Sequence, residues 1–354
     1  MTPRPRWIAL TQLAGVLASG CTYNNAMWSA KRHASDARQL EQHGQPSEAR
    51  AQWAQAAAKT KSWRTDDAVV LRAEGLAYSG ACRDAADPIA QARASVQDAT
   101  QRERIDLADA ECSLAGGDPV HAEAVLAAPL TSKDSDRRSR AQFIAGRAAA
   151  LRLDYGAATT HFQSSRELGA AGRALVSEQQ LRVARATQRA DLTPIASAVE
   201  RLPRTVSGTE EASRILDLLT VVMGAAGTPA ARFRAAEIAR DSLHAPALAG
   251  QLFLDAVAAD STSLYAPKAL IAALDVLPER RDSLVALLDS RYAGSPYTRA
   301  FHGEPSVAYA AAEDSLAREL GVRGGGTRGN PVSAGVLFDA PVPGPRGPRL
   351  DRPK

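Results

Sequence analysis

A short template recurs four times in the first half of the chain and restricts the folds that the chain can adopt. Each copy has a turn position, then a small residue five positions later and a bulky residue nine positions later. The turn positions are Gly44, Gly80, Gly117 and Leu153, so successive copies are 36, 37 and 36 residues apart. A constant period of this length predicts one supersecondary unit per copy, each burying its apolar face against the next.

The residues around each turn predict a pair of helices that cross closely. Small residues stand seven positions before the four turns: Ala37, Ala73, Ala110 and Gly146. The small and bulky residues after the turns are Ala49 and Trp53, Ala85 and Ile89, Ala122 and Leu126, and Ala158 and Phe162. Aromatic residues make up only 5% of the chain, which favours close-packed alanine-rich helices over sheets. We therefore expect an all-α fold.

The four copies, over residues 30–172, resemble the tetratricopeptide repeat (TPR). The resemblance rests on the shared register of small residues at the helix crossings and one bulky residue between them, although no copy has every preferred residue. It implies a right-handed α-α superhelix, a TPR-like solenoid, and a role in binding other proteins. The alternative is a series of generic helical hairpins in which alanine is simply common.

Each predicted first helix carries two charged residues seven positions apart, on one face. The pairs are Lys31 and Arg38, Asp67 and Glu74, Arg104 and Glu111, and Arg140 and Arg147. In tetratricopeptide superhelices this face lines the concave groove, so the resemblance implies a charged groove that alternates in sign. The alternative is an ordinary solvated helix face.

The N-terminal segment has the pattern of a secretory signal. Arg4 and Arg6 precede an apolar run from Trp7 to Leu17, which is too short for a stable transmembrane helix. The small residues that follow lead to Cys21. Residues 17–21, LASGC, resemble the lipobox of bacterial lipoproteins, although Ala18 stands where leucine is commoner.

The lipobox resemblance implies a place in the cell. The signal peptide would be residues 1–20, Cys21 would carry acyl chains such as palmitate, and residues 21–29 would link the anchor to the folded part. Thr22, which is not aspartate, implies sorting to the outer membrane with the protein facing the periplasm. The alternative is an ordinary signal peptide with a chance cysteine.

The second half keeps helical periodicity while the template fades. We expect a boundary near residue 173 and a second helical-repeat segment over 173–320. Residues 291–304, RYAGSPYTRAFHGE, are similar to periplasmic tetratricopeptide lipoproteins of outer-membrane assembly. Residues 321–354 contain eight glycines and six prolines, and we expect a disordered tail. Its basic residues could contact an anionic envelope surface.

Charge and cysteine content restrict the partners and the covalent structure. The net charge is +4, but the signal contributes +2 and the tail +4, so residues 21–320 are slightly acidic. The folded part therefore lacks the basic excess of nucleic-acid-binding proteins. Cys82 and Cys112 could form a disulfide in an oxidising compartment, or remain as buried thiols.

The sequence contains no recognisable catalytic or metal-binding motif. Its six histidines are scattered singly, and no GxSxG, HExxH or Walker motif is present. We expect no enzymatic activity and no cofactor. The pattern favours a lipid-anchored scaffold that binds an envelope protein during cell-envelope assembly or maintenance. The alternatives are a peptidoglycan enzyme that carries a helical superhelix and a regulator of a cell-wall synthase.

Overall fold

The computed structural model describes residues 7–168, 171–207, 209–225, 227–304 and 307–319. Within these residues the chain forms eighteen α-helices and no strand, which confirms the predicted all-α fold. The chain divides into two compact units after Leu175, close to the boundary expected near residue 173. The predicted disordered tail and the basic start at Arg4 and Arg6 lie outside the described residues.

The first unit is built from helical hairpins. Its helices are α1 (Trp7–Gln42), α2 (Pro46–Thr60), α3 (Asp66–Tyr78), α4 (Cys82–Ser95), α5 (Ala99–Ala115), α6 (Pro119–Val125), α7 (Ser135–Leu151) and α8 (Tyr155–Glu167). Helices that are consecutive in the chain pack together, and the first helices of successive hairpins also contact one another: α1 with α3, α3 with α5, and α5 with α7. The four hairpins predicted from the repeat are therefore present, and they stack in chain order.

The predicted turns share one backbone conformation. The φ angle is 70° at Gly44, 86° at Gly80, 78° at Gly117 and 62° at Leu153. This left-handed region favours glycine and is strained for leucine. The fourth copy therefore keeps the turn geometry although it has lost the glycine, which accounts for the shared register.

The helix crossings are as close as the small residues predict. Ala37, Ala73 and Ala110 are fully buried. At Gly146, a Cβ atom would lie 2.6 Å from the Phe162 ring, and at Gly75 it would lie 2.7 Å from the backbone oxygen of Trp53. Both distances are shorter than a normal contact, so only a residue without a side chain allows these helices to approach so closely.

The start of the folded part differs from the expected one. Helix α1 runs without interruption through residues 21–29, which were expected to be an anchor linker. Tyr23 packs edge-on against Trp63 with ring centroids 4.9 Å apart, and Met27 is buried. These apolar contacts fix the segment on the hairpins, so the packed part includes Tyr23 and Met27. No helix in the described part of the chain is long and apolar enough to cross a membrane.

Helix α9 (Ala171–Ala184) spans the division, and the second unit continues with shorter helices. They are α10 (Leu192–Glu200), α11 (Arg204–Ser207), α12 (Glu210–Gly224), α13 (Pro229–Glu237), α14 (Pro246–Ala259), α15 (Tyr265–Val276), α16 (Arg281–Tyr292), α17 (Pro296–Phe301) and α18 (Val307–Glu319). Its core includes Phe233, whose ring lies 5.6 Å from Phe253 and 5.5 Å from Tyr265 between centroids.

Candidate binding groove of the N-terminal unit

The charged residues predicted on the first helices lie along one shared face, where they pair with one another. Lys31 and Asp67 approach to 3.2 Å, and Arg147 and Glu111 approach to 2.7 Å. Each pair joins residues 36 positions apart, on neighbouring first helices. The sign alternation seen in the sequence is therefore mutual pairing between successive repeats.

Glu74 lies at the centre of this face and is buried, with 4% of its surface exposed. Arg104 donates two hydrogen bonds to it, at 2.8 Å to Oε1 and 2.5 Å to Oε2, and Arg38 lies 3.7 Å away. Burial acts to raise the pKa of Glu74, but Arg104, Arg38 and Arg140 together hold that pKa below its usual value. Glu74 is therefore an ionised carboxylate fixed between guanidinium groups.

Arg140 of α7 forms a contact that the sequence did not predict. It donates a hydrogen bond to Glu41 of α1, 99 residues away in sequence. Its guanidinium carbon also lies 4.3 Å from the centre of the Tyr78 ring on α3. The contact connects the first and fourth hairpins across the groove. Sequence reasoning missed Glu41 because this residue does not belong to the seven-residue pairs.

These helices enclose a cavity of about 550 Å³, within the range of ligand-binding pockets. Leu71, Leu107 and Phe143 provide apolar lining, and Thr100 lines it from α5. Arg173 also lines the cavity. Its guanidinium lies 4.7 Å from the centre of the Phe143 ring, and its Nε is buried without a hydrogen-bond partner among the described residues. The cavity can therefore accept a ligand that has both apolar and anionic groups.

Of the eight predicted groove residues, Lys31, Arg38, Glu74, Arg104 and Arg140 line the cavity. Asp67 pairs with Lys31 beside the cavity, whereas Glu111 and Arg147 form a separate pair on α5 and α7. Burial acts to raise the pKa of Glu111, but Arg147, Arg173 and Arg140 hold it below its usual value. Five of the eight predicted residues therefore line one cavity, and Glu74 and Arg147 are buried.

The two remaining cysteines are joined in a disulfide. Cys82 begins α4 and Cys112 lies in α5, with their Cα atoms 5.2 Å apart. The bond links the second hairpin to the first helix of the third, so the alternative of two buried thiols does not apply. Cys21, the predicted lipid-attachment residue, lies in α1, and its side chain is outside those described.

The described residues contain no group of three histidine, cysteine or acidic side chains that could hold a metal ion. No protein-family model matches the sequence, and no curated protein was found to be similar to it.

Proposed function

We propose that this protein is a lipid-anchored, non-catalytic scaffold that faces the periplasm and binds an envelope protein through the groove of its N-terminal unit. The observation that carries the proposal is the cavity of about 550 Å³ on the shared face of the four first helices. Stacked helical hairpins commonly use this kind of surface to bind other proteins.

The groove has an inner and an outer part with different properties. The inner pairs, at Glu74 and at Glu111, are largely buried and already satisfied. Separating them would leave a buried charge without a partner, which is costly. On the outer part, the side chains of Lys31 and Asp67 are 62% and 45% exposed. Exposed pairs are weak, about 0–1 kcal/mol, so a partner can displace them and form its own ion pairs.

Removing positive charge from the groove without breaking its buried ion pairs tests this proposal. Charge reversal at Arg140 and Arg147 is unsuitable because both side chains belong to buried pairs. We therefore choose Lys31→Gln, which removes the exposed cation, combined with Arg173→Gln, which removes a cavity-lining cation that adds to the positive charge around Glu111 but makes no direct salt bridge within the described residues. The matched control is Lys59→Gln combined with Arg83→Gln, which removes the same charge from exposed sites on α2 and α4.

Both double variants should fold like the wild type, as judged by far-UV circular dichroism and tryptophan fluorescence. After cross-linking in intact cells and purification, the groove variant should recover a specific envelope protein at least about tenfold less than the control, which corresponds to about 1.4 kcal/mol. Equal recovery by both variants would exclude Lys31 and Arg173 of the groove as partner-binding residues.

The anchor is tested separately. Mass spectrometry of the N-terminal peptide from the native envelope should show a chain that begins at Cys21 and carries acyl groups. Cys21→Ala should abolish both the processing and the retention in the membrane fraction. A chain that begins elsewhere, or an unmodified Cys21, would refute lipid anchoring while leaving the groove proposal in place.

A further inference from the structure

We propose that the exposed face of α1 near its lipid-attachment residue, formed by Trp28 and Arg32, lies on the headgroup layer of the membrane. This inference depends on the lipid anchor at Cys21 proposed above. It adds an interaction surface and a fixed orientation, in which the first hairpin rests on the lipid instead of being held away from it by a linker.

No flexible linker separates Cys21 from the packed hairpins. Tyr23 donates or accepts a hydrogen bond with the Thr65 hydroxyl at 2.8 Å, besides its ring contact with Trp63. Only Thr22 separates Cys21 from Tyr23. An extended residue spans at most about 3.6 Å, so an acylated Cys21 would hold the first hairpin within about 10 Å of the lipid.

Trp28 is exposed on the same side of α1 as the Cys21 position. This residue is 61% exposed, which is unusual for a tryptophan in a folded unit. It follows Cys21 by seven residues, which is about two helical turns, so the two positions lie on the same side of α1 about 10.5 Å apart along the axis. Tryptophan is enriched at the headgroup level of membranes, where its ring is partly apolar and its N–H can form a hydrogen bond.

The face of α1 around Trp28 carries positive charge from Arg32. The Arg32 guanidinium carbon lies 5.6 Å from the centre of the Trp28 ring, and residues 24–33 contain no aspartate or glutamate. A basic residue near an anionic lipid surface contributes about 1 kcal/mol to membrane attraction. An aromatic ring with an adjacent guanidinium therefore suits an anionic headgroup layer.

The experiment supplies the anchor chemically, so that its result does not depend on processing in the cell. Because Cys82 and Cys112 are bridged, Cys21 is the remaining cysteine, and a chain from Cys21 to Lys354 can be coupled through it to a maleimide lipid. The vesicles contain phosphatidylcholine and phosphatidylglycerol, with or without brominated phosphatidylcholine. Bromine quenches tryptophan only at close range, and this chain keeps Trp28, Trp53 and Trp63.

The fluorescence of the coupled wild type should fall on brominated vesicles, and Trp28→Phe should lose at least half of that quenching. Arg32→Glu should reduce it and make the remainder insensitive to salt. The matched control is Val120→Ser, which alters an exposed apolar residue on α6 and should quench like the wild type. Equal quenching of the wild type and Trp28→Phe would overturn the proposal, because α1 would then stand away from the lipid.

Two further outcomes would also contradict the membrane proposal. If the coupled protein associates in pairs, as measured by cross-linking on the vesicles, and Trp28→Phe abolishes this pairing without changing the quenching, the face is a contact between copies of the chain and the membrane proposal fails. If Cys21 of the native protein carries no lipid, the anchor proposal fails, and the orientation fails with it whatever the vesicles show.

Discussion

The two units of the molecule are both made of helical hairpins, yet their helices meet in different ways. In the first unit, the first helices share a row of charged pairs around a cavity, and the crossings are made by alanine and glycine. In the second unit, α13, α14 and α15 meet through the rings of Phe233, Phe253 and Tyr265. Aromatic contacts between helices also occur in the first unit, where Trp53 packs on Tyr78 and Phe143 on Phe162. What distinguishes the first unit is the row of charged pairs that its first helices share.

The largest expected effect is on the buried charges of the first unit. Glu74→Ala would remove the buried carboxylate between Arg104, Arg38 and Arg140 and leave the partly buried Arg104 without its partner, which should lower the free energy of unfolding by about 3–5 kcal/mol. All four tryptophans lie between residues 7 and 63, so urea unfolding followed by tryptophan fluorescence reports on the first unit alone. The control is Glu313→Ala, which removes the partner of Lys268 in the second unit and should leave the tryptophan transition unchanged. A transition at the wild-type midpoint in Glu74→Ala would show that the buried pairs do not hold the first unit together.

Acid should act in one direction on Glu74 and Glu111 of the first unit and in the opposite direction on Glu237 of the second. The pKa values of Glu74 and Glu111 are lowered in the folded protein, so their contribution to stability is present above the usual carboxyl pKa of about 4.3 and is lost as the pH falls through the lowered values. Burial raises the pKa of Glu237 in the second unit, against the opposing effect of Arg240 and Lys268. Its contribution is therefore present at low pH and is lost as the pH rises through the raised value.

The tryptophan transition should move to lower urea between pH 5 and pH 3, roughly the carboxylate titration range. The double variant Glu74→Gln and Glu111→Gln should reduce this pH dependence, and Glu237→Gln should leave it unaltered. The same shift in the double variant as in the wild type would assign the acid sensitivity to other carboxylates.

A smaller effect is expected from adding one methyl group at a helix crossing. In Gly75→Ala, the new Cβ would lie 2.7 Å from the Trp53 oxygen and 2.8 Å from the Ala57 nitrogen, both backbone atoms. In Gly250→Ala, it would meet only the Leu277 side chain, the nearest atom at 2.5 Å. Backbone cannot move aside as a leucine side chain can, so Gly75→Ala should cost about 3 kcal/mol and Gly250→Ala about 1 kcal/mol or less. Equal costs in urea unfolding followed by far-UV circular dichroism, which reports on the helices of both units, would show that the first unit is no more tightly packed than the second.

The smallest effect should be a gain in stability. Leu153 has a φ of 62° and is 63% exposed, so its side chain contributes little packing and its backbone is strained. Leu153→Gly restores the residue found at the other three turns and should raise the free energy of unfolding by about 1 kcal/mol. The control Gly117→Leu should lower it by a similar amount. A destabilised Leu153→Gly would mean that the leucine has a packing role that its exposure does not reveal.

The repeat made the first unit predictable in detail, because each of its four turns and crossings depends on local residues at fixed spacing. In the second unit, helical periodicity predicts that the chain is helical, but the fading template does not predict where its helices cross. By contrast, the contact between Glu41 and Arg140 depends on how four hairpins stack, which no local pattern contains. The sequence also does not predict that Glu74 is buried. A charged residue on a helix face is normally solvated, and only the stacking of the hairpins removes Glu74 from water. Residues 21–29 were misread because the packing of Tyr23 and Met27 depends on later hairpins.

The most direct test of the groove is photo-cross-linking in living cells. A photoreactive amino acid at Thr100, which lines the cavity, should form a cross-link to one defined envelope protein, and the same amino acid at Lys59 on α2 should not. The cross-link should also disappear when Lys31→Gln and Arg173→Gln are introduced into the Thr100 variant. If the position at Lys59 captures the same protein and the position at Thr100 captures none, the partner binds near α2, outside the groove, and the groove is not the functional site.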